Sequence, residues 1–345
     1  MKEPMLAPAG EEGRKLPSLT PGEVFASRYR VEKALGQGLY GHVYLVKHTK
    51  YGQSMVLKLF YPALLASEDA RRNFKSEFDR IKAVRDPGVA KYFDQGEAGD
   101  SALRYVTLEY LNGSSLRSLM DDLKKQGKQF SALDAVEILI RLLETLKTVH
   151  TAGVSHRNIK PENVLIVTRG RASEKVQWDV RLSDFALTRA PIDWMTEVAS
   201  EKLPYLAPEI QGYGGQVGPR SDVYSVGALL YEMLTGAPPD ASMTPISVKR
   251  PSLPKKFDDI IELTLAQNPS ERYASVQDLL AELQDLPAIL PFEQESAPKS
   301  RLAPLLILLG LSVLLGVITF IFTREPVIPP ESTGPALWEH LRLQV

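Results

Sequence analysis

Between Tyr29 and Phe60 apolar and polar residues alternate in short runs interrupted by glycines: "YRVEKALGQGLYGHVYLVKHTKYGQSMVLKLF". A two-residue period with glycine turns predicts a meander of half-buried strands. At Ser67 the period changes. Phe74, Phe78, Ile81 and Val84 recur at spacings of four and three, which predicts one apolar helix face. Strand-like alternation returns in "AKYFDQGEA" from Ala90 and in "LRYVTLEYL" from Leu103. After "NGSS" at 112–115 the pattern turns helical, most strongly in "LDAVEILIRLLETLKTVH" (133–150) and "DVYSVGALLYEMLTG" (222–236). No internal repeat is visible. A β-rich first third joined to a helical remainder predicts an α+β chain of two unlike lobes, and clefts between lobes bind ligands.

One stretch abandons amphipathicity. "LAPLLILLGLSVLLGVITFIF" runs 21 residues from 302 to 322 without a charge, and fifteen of them are Leu, Ile, Val or Phe. A helix needs about 20 apolar residues to cross hydrocarbon, and these fifteen favour insertion by at most roughly 5–9 kcal/mol. A core helix would keep a polar face; this one has none, so the expectation is a transmembrane helix. Lys299 and Arg301 precede it and Arg324 with Glu325 follows, which places the N-terminal side in the cytoplasm and the tail outside. The expected organisation is a flexible leader at 1–24, a folded domain at 25–290 with lobes 25–111 and 112–290, a juxtamembrane linker at 291–301, the span at 302–322 and a short tail at 323–345. The leader has no apolar run and does not read as a signal peptide. Trp338 in the tail suits a membrane interface.

Composition narrows the chemistry. The chain has 345 residues, 44% hydrophobic and 24% charged, with a net charge of −1. That is enough apolar material for a sizeable core, and it offers no basic field for nucleic acid. There are no cysteines, which excludes disulfides, thiolate metal sites and a cysteine nucleophile.

Gly36, Gly38 and Gly41 in "GQGLYGHV" precede an alternating strand rather than a helix, so they belong to a hairpin and not to a dinucleotide-binding turn. Glycines there let backbone amides approach phosphates, although an ordinary glycine-rich turn reads the same by itself. Lys58 in the next strand could grip a triphosphate. Glu77, on the flank of the Phe74/Phe78 helix face, could hold Lys58 by a charge-assisted contact; singly, each reads as a surface charge. In "SHRNIKPENVL" (155–165) and "RLSDFALTR" (181–189), Asn163 and Asp184 offer the oxygen ligands that suit Mg²⁺, and Lys160 could neutralise a transferring phosphoryl group.

Taken with "YLAPEI" (205–210), "SDVYSVGALLYEMLTG" (221–236) and "NPSERYAS" (268–275), these motifs resemble, in order, those of the bacterial membrane-anchored Ser/Thr protein kinases, over roughly residues 25–290. The resemblance implies a bilobal kinase fold and the cofactors ATP and Mg²⁺. It implies that Gly36, Gly38, Gly41 and Val43 cover the nucleotide and that Val56 roofs the adenine. It implies an ion pair between Lys58 and Glu77, a gatekeeper at Leu108 and a hinge at Glu109–Leu111. Lys160, Asn163 and Asp184 would serve phosphate and metal. Glu209 would pair with Arg272, and Asp222 would tie the helical lobe to the catalytic loop.

The chain departs from the pattern at three places. Asn158 stands where the family carries the Asp that accepts the substrate hydroxyl's proton. An amide accepts a hydrogen bond but takes no proton near neutral pH, and general base catalysis contributes about 10²–10⁴-fold. Ala186 replaces the glycine of the metal-binding loop, which costs about 1 kcal/mol only if that backbone needs positive φ. Lys202 stands where a threonine precedes "APE". Thr196 and Ser200 lie where activating phosphates dock on the loop arginine, here Arg157. The expectation is a pseudokinase member of the family. It binds Mg·ATP, transfers phosphate weakly or not at all, and acts in signalling as a scaffold or allosteric regulator of a protein partner, an active kinase being one candidate. The alternatives are an active Ser/Thr kinase and a protein-interaction module that binds no nucleotide.

Overall fold

The computed structural model describes residues 15–99, 103–169, 177–188, 203–212, 216–240 and 242–290. The apolar stretch 302–322, its flanks, and Thr196, Ser200 and Lys202 lie outside them. Among the described residues no helix is long and apolar enough to cross a membrane.

The expected meander is present as β2 (Tyr29–Gly38), β3 (Gly41–His48) and β4 (Ser54–Phe60). With β1 (Val24–Phe25), β5 (Tyr92–Ala98) and β6 (Leu103–Glu109) they form an antiparallel six-stranded sheet in the order β1-β2-β3-β4-β6-β5. Strand alternation then sorts the side chains of β4. Met55, Leu57 and Leu59 pack with Tyr29, Val31, Tyr44, Val46 and Tyr105 in a small core on one face. Phe60, from the opposite set, joins Phe74 and Phe78 in the main core, and Val56 packs against it. The register Val43↔Lys58 and Val56↔Leu108 lines up the residues expected to surround a nucleotide.

The small core recruits more of the leader than expected. Leu19 is buried, Leu16 packs beside it, and the Leu19 N–H donates to the Tyr44 hydroxyl at 3.3 Å. Folded structure therefore begins before residue 25, because Leu16 and Leu19 cover sheet surface that would otherwise face water.

The helix α1 (Glu68–Ala83) starts at Ser67, whose hydroxyl accepts the Ala70 N–H, and it buries Phe74, Phe78 and Ile81. In the second lobe follow α2 (Leu116–Lys125), α3 (Ala132–Thr151), α4 (Pro219–Thr235), α5 (Ile246–Lys249), α6 (Lys256–Thr264) and α7 (Val276–Asp285). α3 packs against α4 and α7. Gly236 ends α4 at φ 79, the left-handed turn that glycine adopts without strain. A second sheet, β7 (Ser114–Ser115), β8 (Val164–Arg169) and β9 (Gln177–Leu182), carries the segments on either side of the site.

Two buried polar networks fix this lobe. Glu209 and Arg272 form a bidentate pair at 2.8 and 2.9 Å with both side chains fully buried, and the Ser221 hydroxyl donates to Glu209 at 2.6 Å. In the other, Asp222 on α4 accepts the His156 and Arg157 backbone N–H groups, each at 2.8 Å, and meets His150 Nε2 at 2.8 Å. Burial alone would raise the Asp222 carboxyl; His150, His156 and the Arg157 N–H outweigh it and hold the carboxyl below its ordinary value. His156 is wholly buried; its Nδ1 accepts the Asn158 N–H and its Nε2 donates to Ser183 O. Burial lowers its pKa from 6.5 to about 4 against the pull of Asp222 and Asp184.

Removing one partner of a buried ion pair leaves the other charge stranded, so Arg272→Ala should lower unfolding stability by about 3–5 kcal/mol in chemical denaturation. His156 stays neutral in the folded chain while the unfolded chain protonates it near pH 6.5, so folding loses stability as pH falls from 6.5 to about 4. Over that window His156→Gln should shrink the pH slope of unfolding by one proton, about 1.4 kcal/mol per pH unit.

Candidate functional site

The β2–β3 hairpin forms one wall of the site. A Cβ at Gly41 would lie 1.7 Å from the Leu59 carbonyl oxygen, so only glycine fits there. Beside Gly36 and Gly38 there is open space instead. Tyr40 at the hairpin tip turns inward and is buried, and the Lys58 ammonium sits 4.9 Å from its ring centroid and 5.2 Å from that of Phe60. Burial beside Asp184 pushes the Tyr40 hydroxyl far above its ordinary value, so it stays protonated.

The second wall is the loop from Ser155 to Asn163, placed by Asp222. Arg157 takes φ 60 there. Asn158 is buried, and its side-chain amide is turned on Asp184: Nδ2 donates to the Asp184 carbonyl at 3.0 Å and to its Oδ2 at 3.1 Å. Asn163 Nδ2 donates to Asn158 O at 2.7 Å, which locks the loop internally. Asp184 itself lies at φ 62. Phe185 and His156 stack at 4.1 Å, and the Phe185 N–H donates to the Tyr92 hydroxyl at 3.1 Å. Ala186 is not in the left-handed region, so its methyl costs nothing there.

The Lys58–Glu77 pair expected from the sequence is not made. Lys58 Nζ pairs with Asp184 Oδ1, and Glu77 lies 3.5 Å from Arg157 Nη2 and 3.9 Å from Arg80 Nη1. The carboxylate nearest Lys58 in this arrangement comes from the second lobe, not from α1. Burial would raise the Asp184 carboxyl; Lys58 first, then Lys160 and His156, outweigh it and hold the carboxyl below its ordinary value. Asn158, Lys160 and Asp184 thus converge with Lys58, Val43, Gly38 and Gly41 on one cavity. Glu77 stands off to the side on Arg157. Leu108 is buried opposite Val56, the Glu109 N–H donates to Lys91 O at 2.8 Å, and Leu111 packs on the main core.

The cavity measures about 40 Å³, with Tyr40 and Leu39 under the hairpin. Ligand pockets occupy about 300–1,000 Å³, so the cavity in this arrangement is too small for a nucleotide. Mg²⁺ does not fit the site as arranged. The Asn163 amide is turned on the Asn158 carbonyl, and both Asp184 oxygens face cationic or N–H donors, whereas Mg²⁺ requires the carboxylate it would bind.

Two contributors were not evident from sequence pattern. Tyr40 was visible as an aromatic inside a glycine hairpin, but nothing in the pattern shows which way it turns. Arg117 joins Glu232 at 2.8 Å, Glu162 at 3.2 Å and the Tyr205 hydroxyl at 2.8 Å, bringing α2, α4 and the site loop together across long sequence separations.

Comparison with known proteins identifies the family and the fold. The protein kinase domain family matches residues 29–284. A "probable serine/threonine-protein kinase" of Streptomyces coelicolor is 30% identical over 278 residues, covering 74% of this chain and 39% of that protein. Serine/threonine-protein kinase PknA of Mycobacterium tuberculosis is 29% identical over 273 residues, 74% of this chain and 60% of its own. The chain thus spans less than two thirds of these relatives' length. The crystal structure of the PknI kinase domain of Mycobacterium tuberculosis superposes with a TM-score of 0.61 at 26% identity, covering 78% of this chain and 100% of that domain. A six-stranded sheet over a helical lobe, with Lys58, Asn158, Lys160 and Asp184 meeting beneath a glycine hairpin, together with these matches, makes this chain a member of the protein kinase domain family, related to bacterial Ser/Thr kinases.

Proposed function

We propose that this chain is a membrane-anchored kinase-fold protein that binds ATP in the cleft under its glycine hairpin, transfers phosphate weakly or not at all, and works in signalling as a scaffold or allosteric regulator. Its partner would be another protein, an active kinase being one candidate. One observation carries the reading. The side chain at the family's proton-accepting position is an amide, and its N–H groups are spent on Asp184. No carboxylate stands at that position to take the acceptor hydroxyl's proton. Phosphoryl transfer depends mostly on positioning and electrostatics, so what is lost is the base and the orientation of the acceptor. The anchor rests on the uncharged stretch 302–322, with the kinase-like domain on the cytoplasmic side.

ATP binding is supported by Lys58 and Lys160 lining one cavity together with Gly38, Gly41 and Val43 of the hairpin. A second reading, an active Ser/Thr kinase, draws on the named activity of the relatives.

Incorporation of labelled phosphate from ATP with Mg²⁺, measured on the full chain and on Asn158→Asp, separates the two. The native chain should run at least about 10²-fold below the Asp variant, the scale of a general base. Equal rates would overturn the reading.

A further inference from the structure

Both oxygens of the Asp184 carboxylate face positive or hydrogen-bond-donating groups of the protein. Lys58 pairs with Oδ1, Asn158 Nδ2 lies 3.1 Å from Oδ2, and the same amide donates to the Asp184 carbonyl at 3.0 Å. Lys160 acts on the carboxylate from further away. The aspartate is thereby neutralised without a metal ion.

The amide matters for charge as well as for hydrogen bonding. An aspartate at position 158 would place a second carboxylate within hydrogen-bond distance of Asp184. Two like charges that close repel unless a cation or a proton lies between them. Asn158 removes one negative charge and supplies a donor where the repulsion would be. On the cavity wall that Lys58, Lys160 and Asp184 also line, Asn158 leaves one negative charge fewer than an aspartate would. A free triphosphate is more negative than its Mg²⁺ complex by two charges, so the more positive wall selects the free form.

We propose that this site takes its nucleoside triphosphate without a divalent cation, and that Asn158 is the residue that sets the preference. This rests on the nucleotide-binding reading above and specifies the ligand: a metal-free nucleoside triphosphate. The triphosphate would meet Lys58 and Lys160 directly, while Asp184 stays engaged by Asn158. Asn158 is here a specificity-determining residue that acts through Asp184.

The test is calorimetric titration of the full chain with ATP, once in EDTA and once in excess Mg²⁺. The expected result is binding in EDTA at least as tight as in Mg²⁺. Asn158→Asp should weaken binding in EDTA by about tenfold or more, with Mg²⁺ restoring it, as expected for a like-charge neighbour. Asn158→Leu, which removes the donor without adding charge, should weaken binding in EDTA without creating a response to Mg²⁺. It also covers the case in which the Asp variant fails to fold, which a nucleotide-free melting curve would show. Native binding about tenfold tighter in Mg²⁺ than in EDTA overturns the proposal and leaves the nucleotide-binding reading intact. A folded Asp variant with unchanged affinity in EDTA also overturns it. No binding under either condition overturns both.

Discussion

Asp222 carries a buried negative charge that accepts two consecutive backbone N–H groups, from His156 and Arg157, and a ring nitrogen contact from His150. A carboxylate stripped of water is costly, and only such partners make its burial affordable. The same contacts dictate the path of the chain. Arg157 is held at φ 60 and Asp184, across the site, at φ 62. Left-handed backbone at a residue other than glycine costs about 1–3 kcal/mol and persists only where its surroundings over-determine it. At Arg157 the Asp222 carboxylate of α4 supplies that determination, and the side chain of the adjacent Asn158 lies on Asp184. The kinase-like cleft is therefore a consequence of a rigid helix placing a loop, more than of the loop's own preferences.

Within that frame the charges can pair in more than one way. Lys58 has Asp184 as its partner, and Glu77 has Arg157. The pairing expected from motif order joined Lys58 to Glu77. The two arrangements differ in which lobe Lys58 is tied to. Lys58 on Asp184 ties the sheet to the second lobe, while Glu77 on Arg157 ties α1 to the site loop. Cross-lobe pairs of this kind give the two lobes a defined arrangement. A ligand that favours one lobe arrangement over the other shifts their populations only by its difference in affinity for the two.

Much of this was legible in the chain. Glycine turns and a two-residue period located β2 to β4, and the Phe74/Phe78/Ile81 spacing located α1. Buried structural pairs such as Glu209 with Arg272 were readable because the motifs that carry them are specific. What escaped depends on direction rather than on identity. Alternation places Lys58 on a face of β4 but does not choose between Glu77 and Asp184 as its partner. The pattern "GLYG" shows an aromatic at a hairpin tip but not that Tyr40 folds over Lys58. The loss of a carboxylate at Asn158 was plain from the sequence. That its amide would donate to Asp184, altering the metal side of the site as well as the acceptor side, follows only from coordinates. Leu16 and Leu19 were assigned to a leader because two apolar residues among polar ones carry no period; only the bare sheet face they cover gives them a place.

The central claim is that Lys58 and the Asn158 amide, and not a divalent metal ion, engage Asp184 while the pocket still holds a triphosphate. Crystals of the full chain soaked with ATP and Mn²⁺ test it directly, since Mn²⁺ reports its own position by anomalous scattering. The account predicts triphosphate density at Lys58 and Lys160, Asn158 Nδ2 still on Asp184, and no manganese peak between Asp184 and Asn163. A manganese ion bound to Asp184 and Asn163, with Asn158 turned away, would contradict it.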